Sequence, residues 1–483
     1  MINTITRNFI SNNFIFTDLC ANGRTYNKDL LVDRINFWKY ILKYKYSAQP
    51  QESILIGMQK LGIDYFAIVI ASAELSLKIV VVDYNRTDKF KDTEYTDPKT
   101  KLLSPIDIFL HDFLPETIES NQVYAKYTFF QQHSRRTYST IDAIECVIDP
   151  DLYASVALIL PAPTDILFRV TSSGTTDVPK IIEHTHEFIS AISLENSKRY
   201  KGIALHVNNL NHGASASVTL LPLLASEQVT EHLFYDGANP ESISGLVDTL
   251  IPYKDRLGYL SFPYPFLIDK FIEVSREKNI CWPKLDLITL SYILDNAKHA
   301  VRDSIFNSIT SIFGSNETLG PLFVNTATKG HWNIDSRYYS IPGNFYKIKL
   351  SDEGKITVTI PIYNKEVETN DYFDQDGEYF VHKGRSDMFR INGETISISD
   401  INNSNKQDPR AYIVVDTVYH CLYLACWEDL SMEEIHTIKE QIESRFEQIR
   451  ITKIAHLDKS NFYYAIKIDN ELLREYFRTH NVS

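Results

Sequence analysis

Helical and strand-like patterns of apolar residues alternate through the first part of the chain. Apolar positions from Leu30 to Tyr46 recur at helical spacing, and the short run Ser53 to Gly57 is typical of a buried strand. The next two segments repeat this order, with a helix predicted over Tyr65 to Leu75 and a strand over Lys78 to Asp83. Such alternation indicates a parallel sheet covered by helices on both faces. We interpret three later apolar runs as further strands of this kind: Val156 to Leu160, Leu220 to Leu224 and Leu285 to Leu290.

The pattern changes toward the C-terminal end. Two alternating segments, Tyr346 to Leu350 and Lys355 to Ile360, flank a polar turn and predict a hairpin. Farther on, Ser431 to Phe446 has one apolar face at helical spacing and lies within a strand-helix-strand pattern. We therefore predict an α/β protein of two domains, a large one over residues 1–383 and a small α+β domain over residues 384–483.

Composition narrows the class of protein. A chain of 483 residues exceeds one ordinary compact core, and the net charge of −13 without a Lys/Arg run argues against a general nucleic-acid binder. The five cysteines form no CxxC pair, which is typical of a reducing compartment. We find neither a signal-peptide core nor a run of about 18 apolar residues, so we predict a cytoplasmic protein without a membrane span.

A segment rich in small and hydroxyl residues has the chemistry of an anion cradle. It runs from Thr171 to Lys180, between the strand-like Ile166 to Val170 and the helix-like Glu187 to Lys198. Gly174 allows backbone N–H groups to approach an anion closely, while hydroxyls and the lysine ammonium supply further donors. The Walker A order GxxxxGK[ST] is absent, and the order SSGTT-x-x-PK is narrower than an ordinary Ser/Thr/Gly turn.

Four further motifs follow this segment in a fixed order. They are Phe313 to Glu317, Thr369 to Asp371, Gly384 to Asp387 with Ile391 to Glu394, and Ala465 to Asp469. Together with the SSGTT-x-x-PK segment they resemble the signatures of the adenylate-forming superfamily, which includes acyl- and aryl-CoA synthetases, adenylation domains and luciferases. The resemblance covers most of the chain. It implies a large domain of parallel-rich sheets with a small β-barrel-like part, and a small mobile C-terminal domain.

The resemblance also implies the nucleotide-binding residues. The β- and γ-phosphates of ATP would be held by Ser172, Ser173, Gly174, Thr175, Thr176 and Lys180. Phe313, with Gly314 and Asn316, would lie near adenine, and Glu317 would support Mg²⁺. Asp371 would accept hydrogen bonds from the ribose hydroxyls; it could also be an ordinary turn residue.

The C-terminal motifs imply the catalytic and mobile parts. Lys467 would bridge the substrate carboxylate and the α-phosphate, since a compact ammonium can be inserted by a mobile domain. Arg385 would aid ribose binding, Asp387 would act as the hinge, and Gly393 would let a pantetheine arm pass. A surface ion pair for Arg385 and a solvated strand lysine for Lys467 are the alternatives. Lys459 is a rival for the catalytic role.

Some positions depart from the family pattern. Asp177 stands where the family usually has Gly, which places a carboxylate beside the predicted polyphosphate site. Asn316 replaces Thr, Asn370 replaces Gly, and Ile466 replaces the Gly before the catalytic lysine. These departures leave open a degenerate, non-catalytic member that acts as a binding subunit.

The substrate class is inferred from the absence of an acidic residue in one segment. Amino-acid-activating relatives carry an Asp in the stretch that corresponds to Leu210 to Ser215, and this chain has none there. His212 and Gly213 resemble instead the His-containing segment of acyl- and aryl-acid ligases, although a loop histidine is an equal reading. We expect a small non-amino carboxylic acid as substrate, and a thiol of CoA or of phosphopantetheine on a separate carrier protein as acceptor. Transfer to an amine or alcohol is the alternative.

Overall fold

The computed structural model of the chain describes most of its residues. They are 15–19, 24–58, 62–81, 106–112, 130–132, 134–144, 152, 156, 161–171, 181–207, 220–235, 242–262, 265–289, 295–328, 337–340, 345–352, 354–385, 388–391, 394–397, 410–416, 421–427, 430–445, 451–457, 463–464, 467–468 and 470–480. Within this part of the chain, no helix is both long enough and apolar enough to cross a membrane.

The strands are numbered in chain order. Strands β1 to β8 are Ile15–Asp18, Arg24–Asn27, Ser53–Gly57, Lys78–Val81, Ile106–His111, Ser134–Ser139, Ile166–Thr171 and Ile181–Thr185. Strands β9 to β15 are Gly202–His206, Val229–Phe234, Leu257–Phe262, Trp282–Thr289, Phe306–Ser315, Gly320–Thr328 and Arg337–Ser340. Strands β16 to β21 are Lys347–Leu350, Lys355–Ile360, Lys365–Asp376, Tyr379–Arg385, Met388–Ile391 and Glu394–Ser397. Strands β22 to β26 are Ala411–Asp416, Cys421–Trp427, Ile451–Leu457, Tyr463–Tyr464 and Lys467–Ile468.

The helices are numbered in the same way. Helices α1 to α10 are Lys28–Tyr40, Ile63–Glu74, Thr140–Ile144, His186–Ser197, Leu221–Ala225, Ile243–Leu250, Pro265–Glu277, Asp295–Arg302, Met432–Arg445 and Asn470–Thr479. A π-helical turn, Ile41–Lys45, extends α1, and two 3₁₀ turns are Ile251–Tyr253 and Pro361–Tyr363.

The chain divides into two compact units. The first consists of Met1–Ile348, Val358–Val367 and Gly377–Phe380, and the second consists of Lys349–Thr357, Glu368–Asp376 and Val381–Ser483. Strands β16 to β19 therefore contribute residues to both units. The domain boundary between residues 383 and 384 remains a prediction.

The first unit is built on parallel-rich sheets. Six strands follow the order β6-β5-β3-β4-β7-β8, and each neighbouring pair is parallel except the β7–β8 hairpin. The larger sheet contains the run β15-β14-β13-β12-β11-β9-β10-β1-β2, whose pairs are parallel from β13 to β1. The predicted α/β class is confirmed.

Both faces of the larger sheet are buried. On one face Leu260, Leu287 and Ile309 pack in a core with residues of α6, α7 and α8, including Leu246 and Phe271. The opposite face has its own core, formed by Tyr200, Ala204, Leu223, Val229, Tyr259, Ile288 and Ile312. Burial on both faces weakens the polar alternation, as in β9, where Ile203 to Leu205 form an uninterrupted apolar run.

One predicted strand was wrong and another segment was missed. The run Leu220 to Leu224 forms helix α5, Leu221–Ala225, whose residues are all buried and whose first turn contains Pro222. A short apolar run suits a buried helix as well as a buried strand, so periodicity could not separate the two. Of the run Val156 to Leu160, only Val156 lies among the described residues. Strand β8 was not predicted, and no element was assigned to Ile181 to Thr185.

The second unit contains a small layered domain. Strand β23 pairs antiparallel with β22 and parallel with β24. Helix α9 packs its face of Ile435, Ile438 and Ile442 on one side of this sheet, and Leu473 and Phe477 of α10 pack on the other. The predicted amphipathic helix over Ser431 to Phe446 is thereby confirmed as Met432–Arg445.

Candidate functional site

The predicted phosphate-binding segment connects the two strands of a hairpin. Strands β7 and β8 pair antiparallel up to Thr171 and Ile181, and residues 172–180 lie between them, outside the described residues. At the base of the hairpin, Arg169 donates to Glu183 Oε1 from Nε at 3.0 Å and from Nη2 at 2.6 Å. Both N–H groups of the guanidinium converge on one carboxylate oxygen, and this cross-strand pair links β7 and β8 close to the ends of the connecting segment.

The strand after this segment leads directly into a capped helix. Thr185 is the N-cap of α4, and its hydroxyl accepts from Phe188 N at 3.4 Å. Its own backbone N–H donates to the hydroxyl of Tyr363 at 2.9 Å. These bonds satisfy polar groups at the helix start and hold the junction between β8 and α4 in one conformation.

A tight turn between β13 and β14 carries the second predicted motif. Phe313 and Gly314 end the strand, and Asn316 and Glu317 lie in the turn. Thr318 organises the turn: its fully buried hydroxyl donates to Ser315 O at 3.1 Å. A further bond to this turn runs from the Tyr346 hydroxyl to Thr318 O at 2.9 Å. Glu317 is only partly buried within this fixed frame.

Replacing the Thr318 hydroxyl tests this frame. We expect Thr318→Val to lower the free energy of unfolding by about 1–2 kcal/mol, because the turn loses a buried hydroxyl that donates to Ser315 O and accepts from Ser315 N. Urea unfolding measures the change. Thr326→Val is the matched control, since the hydroxyl of Thr326 shares an exposed bond with Thr310, and we expect a change below about 0.5 kcal/mol there. Equal effects of the two substitutions would contradict the role of Thr318.

A histidine joins the hairpin to this turn. His184 on β8 lies 2.9 Å through Nε2 from Asn316 O, and the side chain is 1% exposed. Burial lowers the pKa of His184 to about 4, which leaves the imidazole neutral at pH 7 with Nε2–H as the donor to the carbonyl. The bond connects the strand that follows the phosphate-binding segment with the turn that carries Glu317. No motif in the sequence indicated this role.

Phe313 is packed rather than exposed. Its ring centroid lies 6.0 Å from that of Phe323 and 6.2 Å from that of Tyr338, and 6% of the residue is exposed. The hydroxyl of Tyr338 is in turn 3.2 Å from Ser311 Oγ. The aromatic residue at the end of β13 is therefore held by a buried cluster on the neighbouring strands.

Asp371 lies in the second unit, within a long strand. It belongs to β18, Lys365–Asp376, so the interpretation as a turn residue was wrong. The residue is 4% exposed, and its N–H donates to Thr369 Oγ1 at 3.2 Å. Its Oδ1 lies 3.4 Å from Nε2 of His382, a residue that sequence reasoning also missed. A buried carboxylate with a facing imidazole is a site for accepting hydrogen bonds.

Comparison with known proteins decides the identity of this fold. No family model matches the chain, and no curated protein matches it. Solved structures do match. The alignment with the amide bond synthetase McbA from Marinactinospora thermotolerans covers 98% of this chain and 99% of the McbA chain, with a TM-score of 0.71 and 11% identity. The chain has the adenylate-forming fold.

Other enzymes with the adenylate-forming fold match at similar extent. A variant of the o-succinylbenzoate CoA synthetase MenE from Bacillus subtilis covers 100% of this chain and 99% of its own, with a TM-score of 0.68 and 14% identity. A fatty acyl CoA synthetase from Mycobacterium tuberculosis covers 98% and 97%, with a TM-score of 0.62 and 12% identity. The fold implied by the motifs is confirmed, and the structural match extends over 98–100% of the chain.

Several predicted site residues lie outside the described part of this adenylate-forming fold. These are Ser172, Ser173, Gly174, Thr175, Thr176, Lys180, His212, Gly213, Asp387 and Gly393, together with Asp177, Lys459 and Ile466. Lys467 belongs to β26, where it pairs with Tyr464, and Arg385 ends β19; only their backbones are described. Their roles remain predictions.

The described residues fit a metal that arrives with a nucleotide. They contain no group of three or more His, Cys, Asp or Glu side chains arranged to hold an ion. Mg²⁺ differs from most bound metals in this respect, since one or two carboxylates and substrate phosphates suffice to hold it. Glu317 offers one partly exposed carboxylate of this kind, and its role in holding Mg²⁺ remains a prediction.

Proposed function

We propose that this protein adenylates a non-amino carboxylic acid at the expense of ATP. The observation that carries the proposal is the bond from His184 to Asn316 O, which ties the hairpin of the phosphate-binding segment to the turn of Glu317. Strand β8, which follows the first motif in the chain, is thus next to the turn of the second motif, although the two lie far apart in the sequence. Support also comes from the adenylate-forming fold, whose members named above join carboxylic acids to CoA or form amide bonds.

Different residues bind different parts of the nucleotide. Backbone N–H groups and hydroxyls of residues 172–176, together with Lys180, bind the β- and γ-phosphates. Glu317 would hold Mg²⁺, which would neutralise charge on the phosphates. Asp371 accepts from the ribose hydroxyls, and Arg385 supports it.

Lys467 acts at the reacting atoms. A carboxylate oxygen of the acid forms a bond to the α-phosphorus of ATP while the bond from that phosphorus to the bridging oxygen breaks. Pyrophosphate leaves with the electron pair, and an acyl adenylate remains. The ammonium of Lys467 would lie between two anions that repel each other, so its charge would lower the barrier where negative charge accumulates. Positioning and neutralisation of this kind are the main work in phosphoryl chemistry.

The acid and its acceptor are proposed on narrower grounds. The stretch Leu210 to Ser215 has no carboxylate to pair with an α-amino group, which favours an aryl or acyl acid in contact with His212 and Gly213. Gly393, which would let a pantetheine arm pass, favours transfer of the acyl group to a thiol of CoA or of a separate carrier protein. We place this reaction in the cytoplasm. Transfer to an amine is a second candidate, favoured by the match to an amide bond synthetase.

Pyrophosphate exchange into ATP, measured over a panel of carboxylic acids, tests the first half-reaction. We expect exchange with at least one aryl or acyl acid and none with amino acids. Lys467→Ala should reduce the rate by roughly 100-fold or more, because the charge between the two anions is lost. Lys459→Ala is the matched control and should keep the exchange. Absence of exchange with every acid, together with no measurable ATP binding, would support the non-catalytic alternative suggested by Asp177 and Ile466.

The acceptor is identified by a second measurement. Preformed acyl adenylate is mixed with CoA, with a holo-carrier protein or with amines, and the product is identified by mass. A thioester product supports the thiol acceptor, whereas an amide without any thioester contradicts it.

A further inference from the structure

Two neighbouring strands of the second unit bring an imidazole against the proposed ribose-binding carboxylate. Asp371 on β18 and His382 on β19 face each other, with Oδ1 and Nε2 3.4 Å apart. Both side chains are nearly closed to solvent, at 6% and 7% exposure. A pair so buried interacts more strongly than the same pair would in water.

The surroundings fix the imidazole. The ring of Phe373 lies against His382 with its centroid at 4.8 Å. Phe373 is itself 1% exposed, and its backbone N–H donates to Gly354 O at 2.8 Å. The backbone of Asp371 is held as well, since Asp371 N donates to Thr369 Oγ1, and that hydroxyl donates to Ile356 O at 3.2 Å. The imidazole therefore packs against Phe373, and the strand that carries the carboxylate is held in place.

We infer that His382 is a positioning residue for nucleotide binding, which holds the carboxylate of Asp371 for the ribose diol. The inference rests on the proposed function. A carboxylate has two oxygens, so an imidazole N–H that donates to Oδ1 orients the carboxylate plane and leaves acceptor capacity for hydroxyls. The separation of 3.4 Å is long for a hydrogen bond. Hydrogen bonds of this kind commonly shorten when the ligand binds.

This role predicts a specific effect on ATP. We expect His382→Phe to raise the KM for ATP roughly tenfold while the KM for the acid stays unchanged, because only the ribose contact loses its orientation. The preference for ATP over 2′,3′-dideoxy-ATP should fall by a similar factor. His382→Gln should restore most of both values, since its amide can donate from nearly the same place as Nε2.

Matched variants separate this role from a structural one. Val381→Ala changes the preceding position on β19, which faces the opposite side of the strand, and should leave both ATP values unchanged. If His382→Phe lowers the amount of folded enzyme but keeps the preference for ATP over the dideoxy analogue, the positioning role is wrong. His382→Leu, which is smaller and also lacks the donor, replaces His382→Phe if that variant does not fold.

Asp371→Ala distinguishes failure of this inference from failure of the proposed function. Loss of the ribose preference in Asp371→Ala but not in His382→Phe would overturn the inference alone. An unchanged preference in Asp371→Ala would remove the nucleotide role of that carboxylate and the inference with it.

Discussion

Acidification from pH 7 to pH 4 is expected to unfold the first unit, because its buried neutral histidines gain protons only when the chain opens. Burial lowers the pKa of His184 to about 4 and that of His232 to about 3. The pKa of His206 is lowered well below its usual value by burial and by the neighbouring His232. His206 Nε2 lies 3.0 Å from His232 Nδ1, in a cluster with Phe16, Phe66 and Phe234. An imidazolium there would be shut off from water, because His206 is 4% and His232 2% exposed.

The direction of the pH dependence follows from the protonation of these histidines in the folded and the unfolded chain. Above pH 6.5 the histidines are neutral in both the folded and the unfolded chain, so their stabilising contribution is fully present. Between pH 6.5 and the lowered folded pKa, only the unfolded chain binds these protons, and stability falls as the pH falls. For His184 alone the loss is on the order of 3 kcal/mol, against a typical total of about 5–15 kcal/mol. Several such groups together exceed what a folded domain can usually lose.

Urea unfolding between pH 8 and pH 4 measures this dependence. The double variant His206→Phe/His232→Phe should show a shallower fall in midpoint below pH 6.5, since two titrating groups are removed together and the aromatic cluster is kept. His436→Gln is the matched control, because His436 is exposed on α9 and its replacement should leave the profile unchanged. A midpoint that stays constant from pH 7 to pH 4.5 would rule out the burial of these histidines as neutral groups.

Gly314→Ala is expected to disrupt the turn of Glu317. A Cβ at this position would lie 2.4 Å from Gly320 O and 3.2 Å from Gly320 C, both of which are backbone atoms of the paired strand. Gly314 also lies at a shift in register between β13 and β14. The clash can be relieved only if the strands separate, which we expect to cost about 2–4 kcal/mol.

Thermal unfolding and pyrophosphate exchange measure the two consequences. The exchange rate should fall at least roughly tenfold, because a shift of about 1 Å in a positioning group is sufficient for a large loss of rate. Gly62→Ala is the matched control, since the nearest atom to its new Cβ would be Asp18 Oδ2 at 4.0 Å. Normal stability in Gly314→Ala would show that the two strands yield more easily than their backbone contact indicates.

Elements with a uniform environment were predictable from the sequence. Strand β3 matches the predicted Ser53 to Gly57 because every residue in it is buried, and the face of α9 was visible from its helical spacing. Strand β8 was not visible, since Glu183 in it is exposed and its other residues apart from His184 are only partly buried. Helix α5 was mistaken for a strand because its burial removes the periodicity that would distinguish it.

Only those residues of the candidate site that belong to sequence motifs were predictable. Phe313 to Glu317 and Asp371 were identified by their order along the chain, which is a property of the sequence. His184 and His382 act through partners on other strands, and nothing adjacent to them in the chain marks those partners. Contacts of that kind depend on strand order and register, which a single sequence does not specify.

The bond from His184 to Asn316 O joins elements of two different sheets, since β8 belongs to the six-stranded sheet and β13 to the larger one. Recombination between relatives is therefore constrained. A chimera that receives the β7–β8 hairpin from one parent and the β13–β14 turn from another would combine halves that had not been selected together. Crossover points placed before Ile166 and after Thr328 would keep the hairpin, the turn and their connection on a single inherited block.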